Sequence, residues 1–288
     1  MGNHLRGDTV NLSRIGARRF AGRTAHRIFR NRRNPSMHDL VEDWRQRWID
    51  EANRAGVSPR LLPGWSTKMG SKRMADRCGV DYPATLVVPQ PAEQIPWDDL
   101  PDTFVAKPDG GYGSYAVRVL ERCAGGFWCL LTHRRWTVDE LIDGWRRLER
   151  VGKAAGGILV EERVGEAPFN WKVYAFQGDV ALVHQIDRPS HRARFWGPSW
   201  EPLRWLHWSM PRARLPMPQD PDGLLDAAVR LSREVPAPFV RVDMYEGNGR
   251  VLLGELSHTA GDQHWTPWWD RRLGRMWHDA WSRVPPAS

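Results

Sequence analysis

The sequence predicts an α+β fold, and three observations carry that prediction. Segments with helical spacing and segments with strand spacing are mixed along the chain, with no strict alternation. Neighbouring strand candidates are joined by tight turn chemistry, Gly178-Asp179 in one place and Glu246-Gly247-Asn248-Gly249 in another, which closes antiparallel pairs. The 288 residues, 41% of them hydrophobic, can bury a core in one large domain or two to three small ones, and they contain no repeat and no apolar run of membrane-spanning length.

The elements follow in order. Ser36 opens a helix to about Arg54, with Leu40, Val41, Trp44, Trp48 and Ile49 as its stripe and Gly56 as its stop. Ser71 is placed as the cap of a short helix over residues 72–78. Residues 82–88 read as a strand and 89–101 as a Pro-rich connection. Residues 104–107 read as a strand, followed by the glycine loop Gly110-Gly111-Tyr112-Gly113-Ser114 and a strand over 115–120. Thr137 with Glu140 makes a capping box for a helix to about Arg150. Residues 157–164 form a strand, and 171–176 with 180–186 form a hairpin. Residues 222–234 form a helix with Leu224, Leu225, Ala228 and Leu231 inward. A second hairpin spans 239–257, and a helix over 268–283 closes the chain.

Charge is uneven. The net charge is +8, and residues 1–35 account for all of it with nine arginines and one acid, leaving 33 basic and 33 acidic residues elsewhere. Ile15, Phe20, Ile28 and Phe29 interrupt those arginines. The arm is therefore a helix docked on the protein, a polyanion-binding segment or a disordered tail, and no nucleic-acid-binding motif is present. Arg18-Arg19-Phe20 looks like a twin-arginine signal, but no hydrophobic segment follows and no export is expected. Cys78, Cys123 and Cys129 have neither zinc spacing nor a disulfide framework, which fits core thiols in a reducing cytoplasm. Seventeen tryptophans are many; Trp196, Trp200, Trp205, Trp208, Trp265, Trp268 and Trp269 either line a pocket for a ring-bearing substrate or pack between loops.

FVRVDMYEGNGRVLLGELSHTAG, residues 239–261, places Asp243 and Glu255 inside apolar strands. With a three-residue loop, Gly247 to Gly249, Glu246 faces Arg250 and Asp243 faces Leu253. Arg241, Asp243 and Glu255 then share one face, and Val240, Val242, Met244, Leu252 and Leu256 share the other. A two-residue loop would send Glu255 across the sheet. Two carboxylates on one face need a cation or a proton between them. The pair is either a solvated face with Arg241 as partner or a hard-cation site. FVAKPDGGYGSYAVRVL, residues 104–120, offers Lys107 and loop N–H groups to phosphate oxygens, although ordinary hairpins look similar and the Walker pattern is absent. ILVEERVGE, residues 158–166, ends an apolar strand in Glu161-Glu162, which is either solvated or set to meet an adenine edge and ribose hydroxyls.

The order of these pieces, with FNWKVYAFQG (169–178), DRPSHRARFWGPSWEPL (187–203) and the 238–261 hairpin, resembles the ATP-grasp superfamily, and within it the TupA-like branch associated with teichuronopeptide and surface-glycan biosynthesis. The likeness covers roughly residues 60–265. It implies an ATP-grasp fold, with a nucleotide held between two mostly antiparallel sheet-containing subdomains. The division would be an arginine-rich arm (1–35), an N-terminal region (36–100), a small subdomain with the glycine loop (101–165) and a large subdomain with the metal site and closing helix (166–288).

The resemblance also implies roles. ATP and Mg²⁺ are the cofactors. Lys72 and Lys107 would hold nucleotide phosphates, and Gly110, Gly111, Gly113 and Ser114 would cover them. Glu161, Glu162 and Val164 would form the adenine hinge, and Asn170 would meet the ribose. Lys172 and Arg241 would serve the transferred phosphoryl group, and Asp243 and Glu255 would hold magnesium. Arg188, His191 and Arg192 would form a substrate-side loop; Ser257 and the unusual His258 beside it, placed by their position next to Glu255, are further candidates for substrate contact. Two departures stand out: Asn170-Trp171 replaces the branch's usual Asp-Tyr, and Ser257 stands where many ATP-grasp enzymes have a third metal ligand, Asn.

The activity implied is an ADP-forming carboxylate–amine ligase working through an acyl-phosphate, with a small-molecule or glycan carboxylate and an amine as substrates, in surface-glycan or natural-product assembly. Such chemistry needs no protein nucleophile, which fits the lack of a Ser-His-Asp or Cys-His constellation. A kinase phosphorylating a sugar hydroxyl would share every nucleotide residue. A non-catalytic polyanion-binding protein acting through its arm is the third reading. Nucleic acid is not expected as a partner, and a homodimer rests on analogy alone.

Overall fold

A computed structural model of the chain describes residues 35–111, 116–165, 169–187, 190, 192–204, 213–247, 249–261 and 265–285. The arginine-rich arm, apart from Pro35, and Gly113, Ser114, Arg188, His191, Trp205 and Trp208 lie outside these residues.

The architecture is α+β, built on two antiparallel sheets. The first has six strands in the order β1-β6-β2-β3-β4-β5: β1 (Thr85–Gln90), β2 (Thr103–Gly111), β3 (Arg118–Cys123), β4 (Gly126–Cys129), β5 (Arg134–Trp136) and β6 (Ala154–Glu162). The second has five in the order β11-β10-β7-β8-β9: β7 (Phe169–Phe176), β8 (Asp179–Asp187), β9 (Arg192–Trp196), β10 (Val240–Gly247) and β11 (Arg250–Ser257). Among the described residues the helices are α1 (Met37–Ala55), α2 (Lys68–Cys78), α3 (Val138–Arg150), α4 (Pro221–Glu234) and α5 (Pro267–Ala280).

Each sheet has its own core. Phe104, Leu120, Phe127 and Ile158 of the six-stranded sheet bury against Leu141 and Trp145 of α3, with Trp97 stacked on Trp145 at 5.9 Å. Val173, Tyr174, Val240, Val242 and Leu256 of the five-stranded sheet pack with Leu224 and Leu231 of α4, Leu273 and Trp277 of α5, and Val41 and Trp44 of α1. The stretch 36–100, expected as a region of its own, is shared out. Its helix α1 packs on α5, and its strand β1 forms the edge of the six-stranded sheet. Helix α2 packs against both β2 and β11 and so bridges the sheets.

Several local expectations hold. Ser36 caps α1, with its side chain accepting from Asp39 N, and Gly56 ends it at φ 66°. The Thr137/Glu140 capping box opens α3. Others change. Helix α2 begins four residues early because Thr67, whose Oγ1 accepts from Gly70 N at 3.0 Å, is the cap. Ser71 lies inside the helix and accepts from Leu256 N at 2.9 Å, tying α2 to β11. Strand β2 continues through Gly110 and Gly111, because a Cβ at Gly110 would sit 2.8 Å from Arg60 O and only glycine lets that backbone pass. The β4–β5 hairpin, short and rich in arginine, gave no sequence signal. Among the described tryptophans of the dense group, packing prevails: Trp196 and Trp200 join Trp171, and Trp265 meets Tyr174 and Phe195, while Trp268 is exposed.

Candidate functional site

The site grows out of the β10–β11 hairpin, and its register differs from expectation in an instructive way. Gly247 pairs with Arg250, so only residues 248 and 249 form the turn, with Gly249 at φ 70°. That two-residue turn alone would turn Glu255 toward the core. Strand β11 corrects it with a bulge: Met244 faces Leu253, Asp243 faces Glu255, and Gly254 is the extra residue. A Cβ at Gly254 would lie 3.0 Å from the Tyr245 ring and 3.1 Å from Asp243 O, a close approach that glycine relieves. The expected face is reached by a different route, and the side chain that joins Met244 in the core is Leu253, not Leu252.

The bulge completes a row across the sheet. Lys172 on β7 faces Asp243 on β10, which faces Glu255 on β11, and Arg241 stands one position along on the same face. Asp243, 8% exposed, is gripped by Arg241 through Nε–Oδ1 at 2.5 Å and Nη2–Oδ2 at 2.8 Å, and Lys172 Nζ donates to the same Oδ2. Glu255 Oε2 meets Lys68 Nζ at 2.6 Å, and its Oε1 lies 3.7 Å from Arg241 Nη2. Lys68 also donates to Gly111 O at 3.0 Å, and the neighbouring Met69 N donates to Asp109 Oδ1 at 2.7 Å. The first turn of α2 thus joins the glycine-loop strand to the carboxylate hairpin.

Electrostatics follow from this crowding. Burial pushes the Glu255 carboxyl up, but Lys68, Lys172 and Arg241 outweigh it and hold the group well below the usual carboxylate range. Burial pulls Arg241 down, and the Asp243 ion pair and hydrogen bonds more than restore it, so its pKa rises. Lys172 goes the other way: burial and the adjacent Arg241 charge lower it against Asp243 and Glu255.

A second cluster lies on the six-stranded sheet. Glu161, 2% exposed, meets Lys107 Nζ at 2.5 Å and Lys72 Nζ at 3.1 Å. Lys72 donates in addition to Pro83 O at 2.6 Å and Thr85 Oγ1 at 3.0 Å, and burial lowers its pKa despite Glu161. Of the two lysines expected at the phosphates, Lys72 is thus enclosed by its own fold. Lys68, which the sequence reading missed, reaches the carboxylate row instead. The signal for it was available in Thr67-Lys68: a cap residue followed by a lysine in the first helical turn, masked by Gly70.

The remaining candidates spread out. Glu162 is half-exposed, 3.9 Å from Arg250. Val164 packs against Gly247, where a Cβ would sit 2.1 Å from its Cγ1. Asn170 pairs with Ile186 on β8. Arg192 opens β9, exposed, across from Asp187. Ser257 pairs with Arg241 and donates its hydroxyl to Thr259 O at 3.0 Å. His258 lies beside Ser66 and Trp65.

Magnesium is usually held by one or two carboxylates together with substrate phosphates. Two directly opposed carboxylates, one of them 27% exposed at its side chain, match that donor set. Among the described residues no group of three or more His, Cys, Asp or Glu side chains converges, so phosphate oxygens would supply the rest of the coordination. Among the described residues, no helix is long and apolar enough to cross a membrane.

Comparison with known proteins gives three results. No curated protein matches. Solved structures that resemble the chain include the D-alanine–D-alanine ligase of Bacillus anthracis complexed with ATP, at 15% identity and TM-score 0.49 over 82% of this chain and 74% of that one. Others are the ATP-grasp ligase PsnB with a minimal precursor, at 14% identity and TM-score 0.43 over 81% and 66%, and the N5-carboxyaminoimidazole synthetase of Staphylococcus aureus with ADP, at 9% and 0.45 over 71% and 47%. These likenesses are distant. The assignment rests on the third result, a match of residues 66–277 to the TupA-like ATP-grasp model, by which the chain belongs to the TupA-like ATP-grasp family.

Proposed function

We propose that the protein is an ATP-dependent, ADP-forming carboxylate–amine ligase that works through an acyl-phosphate in surface-glycan or natural-product assembly. The observation that carries this reading is the row Lys172–Asp243–Glu255 with Arg241 and Lys68 around it, two carboxylates among three cations at the junction of α2 with both sheets.

The chemistry is limited by charge. A carboxylate attacking the γ-phosphate of ATP is one anion approaching another. Lys68, Lys172 and Arg241 supply fixed positive charge where the γ-phosphate would lie, whereas Lys107 is held by Glu161 on the other sheet. Asp243 and Glu255 would hold Mg²⁺, which when bound neutralises charge on the nucleotide phosphates. Lys68, bonded to Gly111 O, would link the entry of the glycine loop to the carboxylate row. An amine then displaces phosphate from the acyl-phosphate to give the amide. All three cysteines are free thiols, in keeping with a reducing cytoplasm.

The test is calorimetric titration of Mg-ATP into the wild type and Asp243→Asn, followed by ADP release with carboxylate and amine panels. The reading expects binding that the variant loses and ADP release that needs both substrates. ADP release with an alcohol acceptor and no amine would replace the ligase with a kinase.

A further inference from the structure

The carboxylate oxygens of the row are taken by side chains of the protein itself, but unequally. Asp243 is held at both oxygens, by Arg241 at 2.5 and 2.8 Å and by Lys172. Glu255 has one close partner, Lys68 Nζ at 2.6 Å from Oε2, while its Oε1 stands 3.7 Å from Arg241 Nη2. Three cations around two carboxylates leave one positive charge in excess. That excess sorts what can enter. A bare divalent cation adds two positive charges beside Lys68, Lys172 and Arg241, with only the same two carboxylates to answer them. The same cation carried on a nucleoside triphosphate arrives as part of an anion. Its phosphate oxygens then answer the three side chains while the metal meets the carboxylates.

Lys68 is the side chain on which this exchange turns, because the backbone around it is pinned. Met69 N donates to Asp109 Oδ1 at 2.7 Å, and a Cβ at Gly70 would lie 1.9 Å from Gly64 O. Ser71 Oγ accepts from Leu256 N at 2.9 Å, one residue past Glu255. The first turn of α2 is thus fixed on both β2 and β11, and any change of partners at Oε2 falls to the lysine and glutamate side chains. The ammonium has three hydrogens. It donates one to Gly111 O at 3.0 Å and turns toward Glu255, so among the described residues at least one hydrogen is left for a phosphate oxygen. Lys68 can therefore meet a phosphate before it lets go of Oε2.

We propose that Lys68 makes the site selective for the form in which the metal arrives. By holding Glu255 Oε2 it keeps free divalent cations out of the carboxylate row, and it yields that oxygen only to a metal ion delivered on nucleotide phosphates, which the ammonium then contacts instead. The inference rests on the ligase reading and adds to it the order of binding.

The test uses the full-length protein and Mn²⁺ as the probe. Binding of Mn²⁺ alone is read from loss of the free-ion signal in electron paramagnetic resonance, and binding of Mn²⁺ on a non-hydrolysable ATP analogue by calorimetry. The wild type is expected to bind the complex and to leave Mn²⁺ alone free. Lys68→Met should bind Mn²⁺ alone at least about tenfold more tightly than the wild type, since one positive charge beside the ion is gone. Lys68→Arg, which keeps the charge, should not. Adding Glu255→Gln to Lys68→Met should remove the gain, which locates the ion. A wild type that takes Mn²⁺ alone as tightly as the complex overturns the proposal without recourse to any variant. So does a Lys68→Met protein, folded by circular dichroism, that gains nothing, and so does a gain that survives Glu255→Gln. If the complex binds and only the exclusion is missing, the ligase reading stands and the proposal alone falls. If the wild type binds neither form, the ligase reading fails and the proposal with it.

Discussion

Two buried charge clusters face the same problem in different ways. On the six-stranded sheet one carboxylate, Glu161, sits between Lys72 and Lys107, and on the five-stranded sheet Asp243 and Glu255 sit among Lys68, Lys172 and Arg241. Each therefore carries one cation more than it has anions. The first is closed: its side chains are 3%, 6% and 10% exposed, and Lys72 is tied to Pro83 O and Thr85 Oγ1 as well. The second is open at Glu255, 27% exposed and paired chiefly with one lysine. A closed cluster holds two strands and a helix together, whereas an open one can exchange partners when a phosphate or a metal ion arrives.

The largest expected effect breaks the closed cluster. Glu161→Gln leaves two lysines buried without their anion, and removing one partner of such a pair costs about 3–5 kcal/mol. Urea unfolding of this variant beside Glu255→Gln measures the contrast, with the Glu255 change expected to cost clearly less. Equal losses would mean that the two clusters are equally buried in solution and that the comparison fails.

Next comes a pair of lysines one helical turn apart. Lys68→Met should lower kcat about 10²–10³-fold, the usual loss when a preorganised electrostatic group is removed from a transition state. Lys72→Met should act mainly on stability, because its partners are Glu161 and the chain around Pro83 and Thr85. Steady-state kinetics with unfolding curves for both variants separates the two roles, and a reversed pattern would return Lys72 to the phosphates.

The same two lysines mark how far the sequence could be read. Period-two alternation was enough to find the hairpin and to set Arg241 beside Asp243, because side-chain direction along one strand is a local property, but it reached Glu255 through a loop one residue too long, where the structure uses a bulge. The α3 capping box and the Ser36 cap were legible for the same reason. Which lysine reaches the carboxylates was not local: it depends on where α2 starts, and Gly70, pressed where a Cβ would sit 1.9 Å from Gly64 O, hides the helix signal. The division of 36–100 between two sheets was equally invisible, since strand pairing across seventy residues leaves no spacing pattern. The bulge was readable in principle from Gly254, a glycine inside a strand.

That glycine gives the third prediction. Gly254→Ala places a methyl group 3.0 Å from the Tyr245 ring and 3.1 Å from Asp243 O, so the ring or the strand must give. A cost of about 1–3 kcal/mol is expected, as for other overpacked sites. If the bulge is what turns Glu255 to the site, Mg²⁺-dependent ATP binding should weaken more than stability does, whereas an unchanged Mg²⁺ dependence would show that the register does not depend on Gly254.

The smallest effect lies at the edge of the open cluster and is read through pH. His258 has its pKa pushed down to about 4, against an ordinary value of 6.5. Between those values the unfolded chain binds a proton on this ring that the folded chain does not, so stability falls as pH falls from about 6.5 and stops changing on this account near 4. The slope is at most about 1.4 kcal/mol per pH unit, less whatever solvent screens. Glu255 acts in a lower window. Its folded pKa is depressed, so its contribution is present above its ordinary value of 4.5 and is lost as pH falls through the folded value. The difference between wild type and His258→Gln isolates this ring from the other titrating groups. That difference should slope between about pH 6.5 and 4.5, and Glu255, present in both proteins, cancels from it. A flat difference would mean that the ring is as well solvated folded as unfolded, and the open cluster would then reach further along β11 than Glu255.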